Sequence, residues 1–249
     1  MDLSVVVPCF NEEGNIGDVV RSAAEVGRTV ATELEIVVVD DGSTDGTAAL
    51  LADLQTRVPE LTTVHHSINR GYGAAVRSGL RRANHDYVFL TDGDGQFDLR
   101  ELEPAIAMLA SHDVVVGYRH RRSDGLWRSL YGQAWTRLVN LALGLDVRDA
   151  NCAFKLVPQG LLRTSELRSD GALISAELLA EAQRADLRIA QCPVSHFPRV
   201  NGRQTGASLA VIARAFLELG QHVARRWGRA LRGDRERRRG EDLAGAEGP

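Results

Sequence analysis

Through the first half of the chain, short apolar runs rich in β-branched residues alternate with amphipathic segments, and few folds accept that pattern. The runs are Leu3–Val7, Leu34–Val39, Asp86–Leu90 and Asp113–Val116. Apolar at successive positions, they need cover on both faces, as in a parallel sheet between two helical layers. The intervening segments 14–26, 44–55, 73–83 and 99–110 carry apolar residues at helical spacing. This alternation predicts an α/β fold: a doubly wound, mostly parallel central sheet flanked by helices. Ligands of such sheets bind beyond the carboxyl ends of the strands, so the residues following each strand carry most of the functional information.

The second half is less regular. Helices are expected over 127–143 and 174–184, and a strand over 187–194. A long amphipathic helix is expected from Ala207 to Leu231, with Leu209, Ile212, Phe216, Leu219, Val223 and Trp227 on one stripe. Beyond Gly233 the chain is charged and rich in small residues, the composition of a disordered tail.

The chain has 249 residues, 44% hydrophobic and 25% charged, which is the make-up of a folded globular protein. That length suits one large domain better than two small ones. No run approaches the ~18 apolar residues of a membrane-spanning helix. Met1-Asp2-Leu3 lacks the basic-then-apolar opening of a signal peptide. Cys9, Cys152 and Cys192 form no metal-type pair and read as small buried hydrophobes with reduced thiols, the pattern of a cytoplasmic protein. The net charge of −3 hides an asymmetry, because eight arginines crowd Arg225–Arg239 against only Asp234 and Glu236. An acidic body with a basic C-terminal segment argues against nucleic acid as a partner of the whole molecule.

Carboxylates and small residues collect at one edge of the expected sheet, in Pro8-Cys-Phe-Asn-Glu-Glu13, Asp40-Asp-Gly-Ser-Thr-Asp-Gly-Thr47 and Thr91-Asp-Gly-Asp-Gly-Gln96. Like charges gathered so closely repel unless a cation or a hydrogen-bonding ligand sits among them. The Asp92-Gly-Asp94 pair at a strand end reads either as a divalent-cation site bridging to substrate phosphates or as a solvated acid–glycine turn. A calcium loop fails from Asp41, where Ala52 replaces the bidentate Glu, and from Asp92, where Phe97 replaces the required Gly. Gly71-Tyr-Gly73 continues with Val76 where a dinucleotide fingerprint needs its third glycine, and no phosphate-loop lysine follows a glycine.

In order and spacing, seven motifs resemble the inverting family-2 nucleotide-sugar glycosyltransferases of GT-A fold, most closely the dolichyl- and polyprenyl-phosphate sugar synthases. They are Val7–Glu13, Asp40–Thr47, Asn69–Ala74, Asp92–Gln96, Gly117–Arg119, Asp149–Lys155 and His196–Gly202. The resemblance implies transfer of a hexose from a UDP- or GDP-sugar, with inversion, to a polyprenyl phosphate. A soluble or glycan hydroxyl is the alternative acceptor, and a silent nucleotide-sugar-binding module is the second rival.

It also implies residue roles. Pro8, Asn11, Glu12, Asp41, Arg70, Gly71 and Asp92 border the nucleotide, although Glu12 could instead cap a helix N-terminus and Arg70 could be a surface residue. Asp92, Asp94 and Gln96 hold Mg²⁺ or Mn²⁺. Arg119, Arg128, Arg199 and Arg203 meet phosphate, with a surface role open for Arg128. Asp149 is either the general base or a residue that orients the acceptor. Among the histidines only His196 merits testing; the others, His65 and His66 included, sit at no metal-ligand spacing.

The implied division is a catalytic domain over 1–206, a basic amphipathic helix over 207–232 and a tail over 233–249. That helix would either lie in an anionic membrane interface, placing the protein peripherally at the inner face of the cell membrane, or pack on the catalytic domain with its arginines solvated.

Overall fold

The computed structural model describes residues 1–122, 126–202 and 211–225. Seven strands form one sheet: β1 (Leu3–Cys9), β2 (Leu34–Asp40), β3 (Leu61–His65), β4 (Tyr87–Leu90), β5 (Val114–Arg122), β6 (Lys155–Pro158) and β7 (Ile189–His196). Their order is β3-β2-β1-β4-β6-β5-β7, and only β6 runs antiparallel to its neighbours. The remaining pairs are parallel, with Val5 opposite Ile36 and Phe89.

Alternation along the strands splits the core into two layers. Val5, Val7, Ile36, Val38, Phe89 and Val115 pack with α1 (Ile16–Val30), α2 (Thr47–Gln55) and α4 (Leu102–Ala107). Val6, Val37, Val39, Val88, Leu90, Val114 and Val116 face the other way. They pack with α3 (Tyr72–Arg82), α5 (Leu126–Leu143), α6 (Gln159–Thr164), α7 (Ile174–Arg184) and the helix over 211–225, here α8. The expected doubly wound, mostly parallel sheet is the architecture found.

The differences from the sequence reading have physical causes. β3 is an edge strand in which only Leu61 is buried, so Leu-Thr-Thr-Val-His lacks an apolar run. β6 is four residues long and directly follows the Asp149 motif. The segment 99–110 is not one helix: 3-10 turns at Leu99–Glu101 and Met108–Ala110 flank the short α4. Pro104 accounts for the late start, since it lacks an N–H and its ring excludes the carbonyl one turn back.

Of the expected C-terminal stripe, Leu219 is buried, Val223 packs against the core and Phe216 meets Trp135 edge-on at 5.3 Å. Over 211–225 the apolar face thus packs on the body. Leu209, Trp227, the basic run beyond Arg225 and the tail over 233–249 lie outside the described residues. Among the described residues no helix is long and apolar enough to cross a membrane. Cys9 and Cys152 are buried and Cys192 partly so, and burial pushes the Cys152 thiol up to about 12.

Candidate active site

Strand connection reverses between β1 and β4. From β1 the chain winds outward through β2 to β3, and then returns to place β4 on the other side of β1. The crevice at such a switch point is the expected ligand site. Both of its walls end in acids.

On the β1–β2 wall, Asn11 adopts φ 56°, the left-handed conformation that asparagine tolerates. Its N–H donates to Ser43 Oγ (2.9 Å), and its Oδ1 accepts from Thr44 N (2.8 Å). Glu12 N donates to Thr47 Oγ1 (2.9 Å), which itself donates to Asp45. Asp41 is buried and accepts three bonds: Arg70 N at 3.0 Å, Gly71 N at 2.8 Å and His66 Nδ1 at 2.6 Å. His66 Nδ1 donates to the Asp41 carboxylate, and its Nε2 lies 2.9 Å from the Ser78 hydroxyl. Arg70 therefore contributes its backbone here, while its side chain is exposed.

The β4 wall contrasts with this. Asp92 Oδ1 is buried without a hydrogen-bond partner, although the Tyr72 hydroxyl reaches its carboxylate. Burial, then the nearby Asp94 charge, raise the Asp92 carboxyl to about 7. Burial also raises Asp94, whose Oδ1 accepts from Gln96 N at 3.1 Å. Gly93 is forced by close approach, since a Cβ there would lie 3.0 Å from both Pro8 O and Cys9 Cβ. Gln96 donates its side-chain amide to Phe197 O (2.7 Å), tying this loop to the end of β7.

Two arginine–carboxylate pairs close the site. Arg199 Nη2 meets both Glu12 oxygens at 2.7 Å, its Nε donates to Asn201 O (2.6 Å), and its Nη1 lies 3.8 Å from Asp94. Asn15 Nδ2 adds a third bond to Glu12 at 2.7 Å. Burial raises the Glu12 carboxyl while its bonds to Asn15 and Arg199 oppose the rise. Arg119 grips Asp149 bidentately, Nε–Oδ2 2.7 Å and Nη2–Oδ1 2.9 Å. Lys155, the single lysine, is fully buried beneath this turn and donates to Ala150 O, Cys152 O and Ser175 Oγ. Burial lowers its pKa.

Asp92, Asp94, Arg199, Arg119 and Asp149 thus gather at the same edge of the sheet as Glu12 and Asp41, which stand on the β1–β2 wall. Arg203 and the Arg128 side chain lie outside the described residues. His196 packs edge-on against Phe97, 5.3 Å between ring centres. A cavity of about 170 Å³ reaches Asp92 from the α1 side, between Asp18, Ser22, Thr91, Phe97 and Leu99; Asp41 does not line it. The sequence assigns no role to His66, Tyr72 or Lys155, although Tyr72 and Lys155 lie within the Asn69–Ala74 and Asp149–Lys155 motifs.

The family model for glycosyl transferase family 2 matches residues 4–165. The chain belongs to that family. This family-2 chain is 28% identical over 220 residues to the dodecaprenyl-phosphate galacturonate synthase of Rhizobium johnstonii, covering 87% of this chain and 64% of that protein. It is 34% identical over 161 residues to the undecaprenyl-phosphate 4-deoxy-4-formamido-L-arabinose transferase of Pseudomonas paraeruginosa, covering 61% and 46%. It therefore spans about half to two thirds of the length of these curated relatives. In fold it is similar to glucosyl-3-phosphoglycerate synthase of Mycobacterium tuberculosis, solved with Mn²⁺, UDP and glucosyl-3-phosphoglycerate. The TM-score is 0.64 at 22% identity, over 88% of this chain and 80% of that one. The expected GT-A family-2 membership is thereby confirmed.

Proposed function

We propose that this chain transfers a hexose, with inversion and with Mg²⁺ or Mn²⁺, from a UDP- or GDP-sugar to a polyprenyl phosphate at the cytoplasmic face of a membrane. The observation that carries the reading is Asp92 Oδ1, buried and unpartnered beside a second, partly buried carboxylate. Two such acids fit a hard divalent cation completed by donor phosphates, because Mg²⁺ is commonly held by one or two carboxylates together with phosphate oxygens. No group of three or more His, Cys, Asp or Glu that could hold a metal occurs among the described residues. Asp92 and Asp94 would hold the ion, and its chemistry there is to offset negative charge on the leaving diphosphate. Gln96 fixes the loop through Phe197.

The nucleoside lies against Pro8, Asn11 and Asp41. One acceptor position of the Asp41 carboxylate remains after its three internal bonds, enough for a base or ribose donor. Arg199, held by Glu12, keeps positive charge beside Asp94 where the diphosphate sits. The bidentate grip of Arg119 on Asp149 supports a positioning role for Asp149. It aims the guanidinium at the acceptor, and a lipid phosphate, already ionised at neutral pH, attacks without a base. The names of the two polyprenyl-phosphate relatives support that acceptor. The exposed Leu217 on α8, with Arg225, Arg226, Arg229 and Arg232 following, supports contact of the 207–232 helix with an anionic membrane surface.

The test is transfer from a panel of labelled UDP- and GDP-sugars with Mn²⁺, offering undecaprenyl phosphate beside soluble hydroxyl acceptors. Lipid-linked product that disappears in Asp94→Ala supports the proposal. Product on soluble hydroxyls alone moves the acceptor to the rival reading, and a chain that binds no nucleotide sinks the donor site.

A further inference from the structure

Away from the rim, four consecutive backbone N–H groups are held by two carboxylates, Glu177 buried and Glu218 partly so. Glu177, on α7, accepts through Oε2 from Arg168 N (3.0 Å) and Ser169 N (2.9 Å). Glu218, on α8, accepts through Oε1 from Asp170 N (3.2 Å), Gly171 N (2.9 Å) and Arg214 Nε (3.1 Å). The carbonyls of the same loop are held from the other side. Ser169 O accepts from Arg77 Nη1 (2.8 Å) and Asp170 O accepts from Gly73 N (2.7 Å). Loop and turn nearly touch: a Cβ on Gly71 would lie 2.6 Å from Asp170 O, and one on Gly73 2.4 Å from Ser169 O. The turn so held is the one that donates Arg70 N and Gly71 N to Asp41 and sets Tyr72 against Asp92.

We infer that Glu218 is a positioning residue of the donor site. By fixing the backbone at 170–171 it seats the 70–73 turn against Asp41 and Asp92, which makes α8 part of the nucleotide-binding apparatus. The inference rests on the donor site proposed above. Removing the carboxylate leaves two amide donors without their acceptor, a cost set by the lost hydrogen bonds. The loop would sooner shift than bear that cost, and the turn would shift with it.

The test compares the full chain with its Glu218→Leu, Glu218→Gln and Gly171→Ala variants. Gly171→Ala is an independent probe, because its Cβ would meet Glu218 Oε2 at 2.8 Å and displace the carboxylate without deleting it. Amide hydrogen exchange over 70–73 is followed without ligand, UDP and GDP binding with Mn²⁺ by calorimetry, and donor KM against kcat by transfer. In Glu218→Leu, exchange at 71 and 73 is expected to quicken about tenfold. Nucleotide Kd and donor KM rise to a similar degree while kcat stays within about threefold. Glu218→Gln, which keeps an accepting oxygen, remains near wild type, and Gly171→Ala falls between. A lower melting temperature with unchanged exchange and KM overturns the inference. If Glu218→Leu does not fold, wild-type exchange and Kd in Gly171→Ala overturn it instead. A wild-type chain that binds neither nucleotide refutes the donor-site reading, and the exchange measurement still decides whether Glu218 seats the turn.

Discussion

The two walls of the crevice carry acids of the same kind in opposite conditions. Asp41 lies under three hydrogen bonds, two from backbone amides and one from a histidine that is itself held by Ser78. Asp92, across the crevice, keeps a buried oxygen with no partner and a carboxyl raised to about 7. One wall is finished by the protein. The other is left for something to complete. A carboxylate that braces backbone can present a fixed edge to a nucleoside at no reorganisation cost, whereas one that is buried and short of partners stores unfavourable charge until a cation and phosphates arrive. On the proposed reading, the first wall serves stability and the second serves the chemistry.

Substitutions should separate the walls by sign as well as size. The largest expected effect is Asp94→Ala, which lowers transfer by about 10²–10³-fold with little change in melting temperature, as for loss of one transition-state charge partner. Equal activity with and without the side chain would erase the distinction. Next is Asp41→Ala, which leaves two amides and His66 without their acceptor. The expected cost is about 3 kcal/mol in denaturant unfolding, with weaker nucleotide binding alongside. Asp92→Asn should act in the opposite direction on the metal-free protein. Without the buried charge the fold gains about 1 kcal/mol, a rise of roughly 2–4 °C in melting temperature, while transfer is lost. A fall in melting temperature as large as that of Asp41→Ala would show both walls to be braced alike. The smallest effect is expected of His66→Gln, whose amide can still donate to Asp41. Donor KM should stay within about threefold, against about tenfold in His66→Ala, each measured at saturating acceptor.

The same contrast governs what could be read from sequence. Acids following apolar strands announce the rim, because strand ends of a doubly wound sheet converge there whatever the details. Hence Asp41, Asp92 and Asp94 were visible one by one. Their condition was not. It depends on His66, Tyr72 and the backbone of 70–71, and no periodicity reports which oxygen an amide will face. Arg199 and Glu12, 187 positions apart, meet only because Gln96 and Phe197 bring the end of β7 beside the Asp94 loop. Strands β1, β2, β4 and β5 were legible because both their faces are buried. β3 was hidden by its exposed polar residues, and β6 by the lysine and proline that bracket its two apolar residues. The role of Asp149 stayed open in the sequence because only the fold brings Arg119 to it.

Strand β6 has one more consequence. Since it opposes its neighbours, Lys155 at its start lies beside Leu90, the last residue of β4, and Val116, near the start of β5. The excursion between β5 and β6 therefore departs from and returns to one side of the sheet, like a handle fixed at both ends to the same plate. It can change in length without rethreading a strand, provided that Trp135, Val139 and Leu143 of α5 keep their places in the core.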